Sequence, residues 1–278
     1  MPSNEKIADE RDRQIIDEVL SQYPHLNSII TKNPNFYRLT RDQFGNATPL
    51  DQQEFRLSGI LRFISCDRSF ASMIVNLERW LSQYPEYRTK KFGRQLSNDF
   101  FSYYSEIEFY HHLRIEGYTP ERDPEIDVNG AKKKLDFLIQ IEEQSVVIEV
   151  TTPRPSKEYE DAFDTGYSGF GDPNKGLGPK NTGEYSRTTA MIEKEIEKHF
   201  GDMPEEGTDY PIIIAMNIHW AALEIMIGDR ISGPESLPRF IEGILLYDGK
   251  SCGYYPSLHH VMSDKQNHTI AKLLALHH

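Results

Sequence analysis

The sequence predicts an α/β chain, with an N-terminal helical lobe over residues 1 to 96 and, from residue 97, a core of strands and helices carrying a C-terminal extension. Three observations carry this. Apolar residues recur at helical spacing through much of the first hundred positions. The period shortens to two over residues 125 to 152, around an Asn-Gly dipeptide. Two apolar runs, YPIIIAMNI and IEGILLYDG, then read as buried strands.

Bulk properties narrow the class. With 278 residues, 38% of them hydrophobic, the chain can bury a sizeable core. No run of about 18 apolar residues occurs, and the opening MPSNEKIADERDR lacks the apolar stretch of a signal peptide. A cytoplasmic protein with no membrane partner is therefore expected. Cys66 and Cys252 have no ligand-like spacing and read as reduced structural thiols. The net charge of −12 argues against non-specific coating of nucleic acid. The charge is uneven, however: residues 1 to 100 carry 14 Lys+Arg against 13 Asp+Glu, leaving 17 against 30 in the remainder. The acidic excess lies where carboxylates could hold a metal, and a polyanion is better gripped by the first part.

Helices are expected over residues 5 to 20, 52 to 64 and 69 to 81, the last stopped by Pro85. YPEYRTKKFGR then interleaves Arg88, Lys90, Lys91 and Arg94 with Tyr84, Tyr87 and Phe92, a mixture suited to phosphates and exposed bases, or else a solvated basic linker. Residues 97 to 116 read as a helix with Phe100, Tyr103, Tyr104, Ile107, Tyr110 and Leu113 on one side, closed by Gly117. EIDV, KKKLDFLIQI and VVIEVTT form a three-stranded meander, its first turn at Asn129-Gly130. Residues 153 to 186 are rich in glycine and proline but lack the Gly-Lys-Ser/Thr of a phosphate-binding loop, and a helix is expected at 187 to 200.

The meander raises the chemical question, because VVIEVTT carries a glutamate on a strand otherwise suited to burial. With residues 142 to 145 as the turn, Ile141 faces Val146. Asp136, Leu138 and Gln140 then share one face with Val147, Glu149 and Thr151, and Phe137, Ile139, Ile141, Val146, Ile148 and Val150 form a wholly apolar opposite face. Asp136 and Glu149 become diagonal neighbours, close enough for one hard cation such as Mg²⁺. Exposure of both carboxylates on a polar sheet face is the competing reading, disfavoured by Leu138 and Val147 beside them. On the preceding helix, Glu106 falls nearer the apolar side than Glu108.

The helix SEIEFYHHLRIEGY, then LDFLIQI, then VVIEVTTP, resembles the PD-(D/E)XK, or restriction-endonuclease-like, nuclease superfamily over roughly residues 97 to 220. The resemblance implies an αβββαβ core with a mixed sheet flanked by helices. It implies metal ligation by Asp136, Glu149 and the Val150 carbonyl, a contribution from Glu106, and Mg²⁺- or Mn²⁺-dependent hydrolysis of phosphodiester bonds in DNA or RNA. It also implies a possible homodimer. Where the family's pattern has lysine, this chain has Thr151. That lysine positions the attacking water and offsets charge on the phosphate. Lys134, two residues before Asp136, Lys180 in the glycine-rich stretch and Lys194 on the later helix are the candidates to replace it. The alternative is a catalytically silent nuclease-fold protein serving as a nucleic-acid-binding or protein-interaction module. His111-His112 and His259-His260 read as structural or surface residues, Trp80 and Trp220 as core, and Ser186 as a helix cap beside Tyr185 and Arg187.

Overall fold

The computed structural model describes residues 5–40, 56–66, 68–128, 131–141, 143–152, 210–217, 241–247 and 252–256. Two compact units divide the chain, Met1–His111 and His112–His278. The division falls within the helix expected over residues 97 to 116, and aromatic residues of that helix pack into the first unit. Tyr104 lies 5.3 Å from Trp80 and Tyr110 lies 5.2 Å from Tyr87, ring centre to ring centre.

The first unit begins with strand β1 (Glu5–Ile7), paired antiparallel with β2 (Arg38–Thr40). The helix expected from residue 5 starts only at Glu10. Asp9 is extended and its carboxylate accepts the Asp12 N–H at 2.9 Å, a side-chain cap that fixes the start of α1 (Glu10–Ser21). Ile7 is consequently on a strand and 46% exposed. Helix α2 (Pro24–Ile29) has only six residues, too few to stand on propensity. It is fastened at both ends: the Glu78 carboxylate accepts the His25 and Leu26 N–H groups at 2.9 and 2.8 Å, and Lys90 Nζ donates to the Ser28 and Ile30 carbonyls at 2.9 and 3.2 Å. Helix α3 (Leu57–Phe63) runs into a 3-10 turn at Ile64–Cys66, and α4 (Arg68–Gln83) follows.

The basic stretch is not a linker. It forms a 3-10 turn, Pro85–Tyr87, and helix α5 (Lys90–Asn98), capped by Thr89. Its aromatic residues are withdrawn from bases: Tyr87 and Phe92 are buried and packed edge to face, and Tyr84 O–H lies 2.7 Å from His111 Nδ1. Arg88, Lys91 and Arg94 are exposed, whereas Lys90 caps α2. Helix α6 (Phe100–Ile115) starts at 100 rather than 97, since Asp99 breaks it from α5 and takes the Ser102 N–H at 3.4 Å.

Tyr37 joins β2 to α1 through its hydroxyl, which donates to Asp17 at 2.9 Å. Burial, then the Asp17 bond, pushes its hydroxyl up from 10.0 to about 12. The folded state therefore holds this proton more tightly than the unfolded chain. The stability it contributes is whole below pH 10.0 and is lost as pH rises to about 12. An alkaline titration followed by phenolate absorbance is expected to show late-titrating tyrosines, since burial pushes Tyr104 and Tyr118 up as well, and to lose one of them in Tyr37→Phe.

In the second unit Gly117, at φ +86, ends α6 as expected, with Tyr118 N–H donating to the Leu113 carbonyl at 3.0 Å. The expected first meander strand is β4 (Glu125–Val128), preceded by a short strand β3 (Glu121–Arg122), and the expected second strand is split into β5 (Ala131–Lys134) and β6 (Phe137–Ile141). Glu121 pairs with Leu138, Arg122 with Phe137, Glu125 with Lys134 and Val128 with Ala131, so one register runs through both pieces. Strand β7 is Gln144–Thr151, and β8 (Ile212–Asn217), β9 (Ile241–Tyr247) and β10 (Cys252–Pro256) complete a six-stranded sheet ordered β10-β9-β8-β7-β6-β3. Strands β7, β8 and β9 are parallel and the remaining pairs antiparallel, which makes the sheet mixed. A parallel β7–β8 pair needs a long crossover, and residues 153–209 that supply it lie outside the described residues, as do the expected helix at 187 to 200 and Trp220.

The sheet is buried on both faces at its centre. The predicted apolar face is buried at Phe137, Ile139, Ile141, Val146, Ile148 and Val150, and the Glu149 face is buried at Val147, Ile212, Ile214, Met216 and Ile244. β-branched residues dominate β7 and β8 accordingly.

Candidate metal-binding fork

Strands β6 and β7 pair with Phe137 opposite Ile148 and Ile141 opposite Gln144. The connection is thus two residues shorter than the sequence suggests, matching the preference for two-residue hairpins. A two-residue slip leaves every side chain on its expected face. Its effect is to bring Asp136 to the height of Glu149 directly, not diagonally.

Hydrogen-bond direction explains what happens at that height. Val147 N–H donates to the Pro211 carbonyl at 2.9 Å, so odd-numbered residues of β7 bond towards β8 and even-numbered ones towards β6. Val150 would accordingly bond to Leu135. Leu135 instead turns its N–H to the Pro124 carbonyl at 3.2 Å, while its neighbour Asp136 accepts from Asp123 N–H at 3.1 Å. The Leu135 N–H and the Asp136 carbonyl thus bond to the same side, the strand alternation is broken, and the β4–β5 hairpin leaves the sheet as a separate two-stranded piece. Asp123 marks the break with φ +52, tolerated by aspartate in a left-handed turn. Among the described residues, no strand then pairs with Val150 on its β6 side.

The two carboxylates fill this fork. Asp136 Oδ2 accepts the Val150 N–H at 2.8 Å, and Glu149 Oε2 accepts the Asp136 N–H at 3.3 Å. Glu149 is 8% exposed, which overturns the solvent-facing reading for that residue, and Asp136 is half-buried. Burying a carboxylate costs several kcal/mol unless hydrogen bonds compensate, and these backbone donors supply part of that compensation. Because N–H and C=O of one strand residue point the same way, the Val150 carbonyl is directed to the side occupied by the Asp136 carboxylate. Two carboxylates and a carbonyl are hard oxygen donors, the set that suits Mg²⁺ or Mn²⁺.

The other expected residues are placed as follows. Thr151 is buried at 5% exposure on β7, so the position where the family's pattern has lysine does not open to solvent. Lys134 lies on β5, 60% exposed, 3.9 Å from Glu125. Glu106 is half-buried on α6 in the first unit. Lys180, Lys194, Tyr185, Arg187 and His259-His260 lie outside the described residues. Among the described residues no group of three or more His, Cys, Asp or Glu side chains is gathered as a metal site, so the fork is a two-carboxylate arrangement there. Sequence reasoning missed buried Thr152 and Asn217 at the carboxyl ends of β7 and β8, and Glu242, which the register places at a bulge between β8 and β9. Asn217 at the end of the apolar run IIIAMN was the one readable signal. No described helix is long and apolar enough to cross a membrane.

No protein-family model matches this chain, and the comparisons with curated proteins and with solved structures give no match either.

Proposed function

We propose that the chain is a metal-dependent nuclease of restriction-endonuclease-like architecture, and that Asp136, Glu149 and the Val150 carbonyl hold its Mg²⁺ or Mn²⁺. The observation that carries this reading is the fork itself. Two carboxylates stand side by side at a sheet break, one of them buried, each accepting a backbone N–H through one oxygen. The element order of α6, the split meander and then a parallel β8 is consistent with an αβββαβ core.

A bound cation would supply phosphate polarisation and a more acidic water. The chain's own contribution is to keep two negative groups adjacent, in a partly desolvated place where a cation gains most from them. A nucleic acid substrate would meet the exposed Arg88, Lys91 and Arg94 as point charges for phosphates, not through base stacking. Thr151 favours a second reading, in which the fold is kept as a silent binding module. Its buried side chain cannot replace the lysine, and the two side-chain-to-backbone bonds at the fork also serve a purely structural end.

Cleavage of single- and double-stranded DNA and RNA with Mg²⁺ or Mn²⁺ separates the two. Wild type is expected to cut at least one substrate, and Asp136→Ala and Glu149→Ala to fall to the level seen with chelator. Cutting by either variant at the wild-type rate would sink the assignment of the site, and an inert wild type on every substrate would favour the silent module.

A further inference from the structure

We propose that Asp136 is also the positioning residue of the fork: its carboxylate stands in for the missing strand at Val150 and assembles the site before any cation arrives. The inference deepens the metal-site reading and rests on it only for the ligand role. The positioning role stands on the hydrogen bonds.

Regular alternation would give Val150 N–H a backbone acceptor on β6. No such bond forms, because Leu135 turns its N–H to the Pro124 carbonyl and the Asp136 carboxylate takes the Val150 N–H instead. An amide in a buried strand left without an acceptor is costly, so a strand that loses its neighbour must end, bend or be capped. Here β7 continues past the break to Thr151, with Val150 at 8% exposure, Thr151 at 5% and Thr152 at 9%. The Asp136 carboxylate supplies the cap at 2.8 Å, and the return bond from Asp136 N–H to Glu149 ties the neighbouring carboxylate to the same backbone. Unlike a helix capping box, the two bonds run to two neighbouring residues of one strand, Val150 donating to Asp136 and Asp136 to Glu149. Their consequence is local order: the Val150 amide is held to the carboxylate while the extended backbone of β7 directs its carbonyl to the same side. The ligand set is thereby prebuilt, which lowers the ordering cost of taking up a cation.

The test uses full-length protein in chelator, so that it does not depend on cation binding. Amide exchange is read at Val150, with Ile214 in β8 reporting the fold, and Mn²⁺ uptake is measured separately by its paramagnetic resonance signal. Wild type is expected to protect Val150. Asp136→Ala is expected to exchange there about tenfold to a hundredfold faster, the loss of a hydrogen bond to a charged group, with Ile214 unchanged. Asp136→Asn keeps an acceptor oxygen and is expected to retain most of the protection while losing Mn²⁺ uptake. If Asp136→Ala unfolds outright, the Asp136→Asn result decides alone. Wild-type exchange at Val150 in Asp136→Ala, or loss of Val150 protection in Asp136→Asn with Ile214 still protected, would overturn the positioning role. Protection lost as described with no Mn²⁺ uptake even by wild type would leave that role standing and remove the metal site instead.

Discussion

Gly93→Ala is expected to destabilise the first unit by about 3 kcal/mol, the upper end of ordinary overpacking. For a unit of roughly a hundred residues, that lowers the melting temperature by about 10–20 °C. The cause is a backbone-to-backbone approach. A Cβ built on Gly93 of α5 would overlap the Ile29 carbonyl oxygen, with the carbonyl carbon at 2.7 Å. A flexible side chain could turn away from such an intruder, but a carbonyl cannot. Ile29 is the last residue of α2, a helix held at one end by Glu78 and at the other by Lys90 of α5 itself. Moving α5 out to admit a methyl group would therefore stretch the Lys90 cap and shift Phe92, which is buried against Tyr87. Gly117→Ala is the informative control. Its φ of +86 strains an alanine, yet nothing lies within 4 Å of the added Cβ, so only the left-handed penalty of about 1 kcal/mol applies. Thermal melts of the two variants side by side check the argument. A Gly93→Ala no less stable than Gly117→Ala would mean that the α2–α5 crossing yields far more readily than its fastenings imply.

The same contrast shows what a sequence can and cannot disclose about this chain. Features set by neighbours a few positions apart were legible. The period-two pattern gave both faces of the β6–β7 hairpin and the pairing of β4 with β5 on either side of residues 129–130, which lie outside the described residues, and Gly117 gave the end of α6. Features set by distant partners were not. Helix α2 depends on carboxylate and ammonium groups more than fifty residues away, and α5 presents as a charged stretch until the burial of Phe92 and Leu96 is known. β1 is a strand because residue 38 reaches back to residue 7. The fork lies between these cases. The alternation of the meander placed Asp136 and Glu149 on one face, but the break that makes them a site depends on Leu135 bonding to Pro124. The dipeptide Asp123-Pro124 was the available hint, since Asp-Pro favours a turn over a continuing strand.

Glu149→Leu is expected to abolish cleavage while leaving the melting temperature unchanged or higher, and the reasoning concerns why a carboxylate is there at all. Glu149 has buried Val147 and Thr151 as its same-face neighbours along β7, and Ile214 is its register partner on β8. A leucine is close in volume and matches that environment. Replacing a buried charged group by a well-packed apolar one is often neutral or stabilising by about 1–4 kcal/mol, because the desolvation cost disappears. Against that stands the bond from Asp136 N–H, long at 3.3 Å, whose loss costs about 1 kcal/mol. The balance favours leucine or is even. A position where the apolar residue folds as well as the native carboxylate is one whose charge serves something other than folding, the usual trade between stability and activity at a functional site. Glu149→Gln separates charge from hydrogen bonding, since its amide oxygen can still accept the Asp136 N–H. It is expected to melt with wild type and to be inactive. A fall of several degrees in Glu149→Leu, with Glu149→Gln melting as wild type does, would instead make the return bond to Asp136 the reason for the residue. Glu149 would then be part of the frame of the fork rather than of its chemistry.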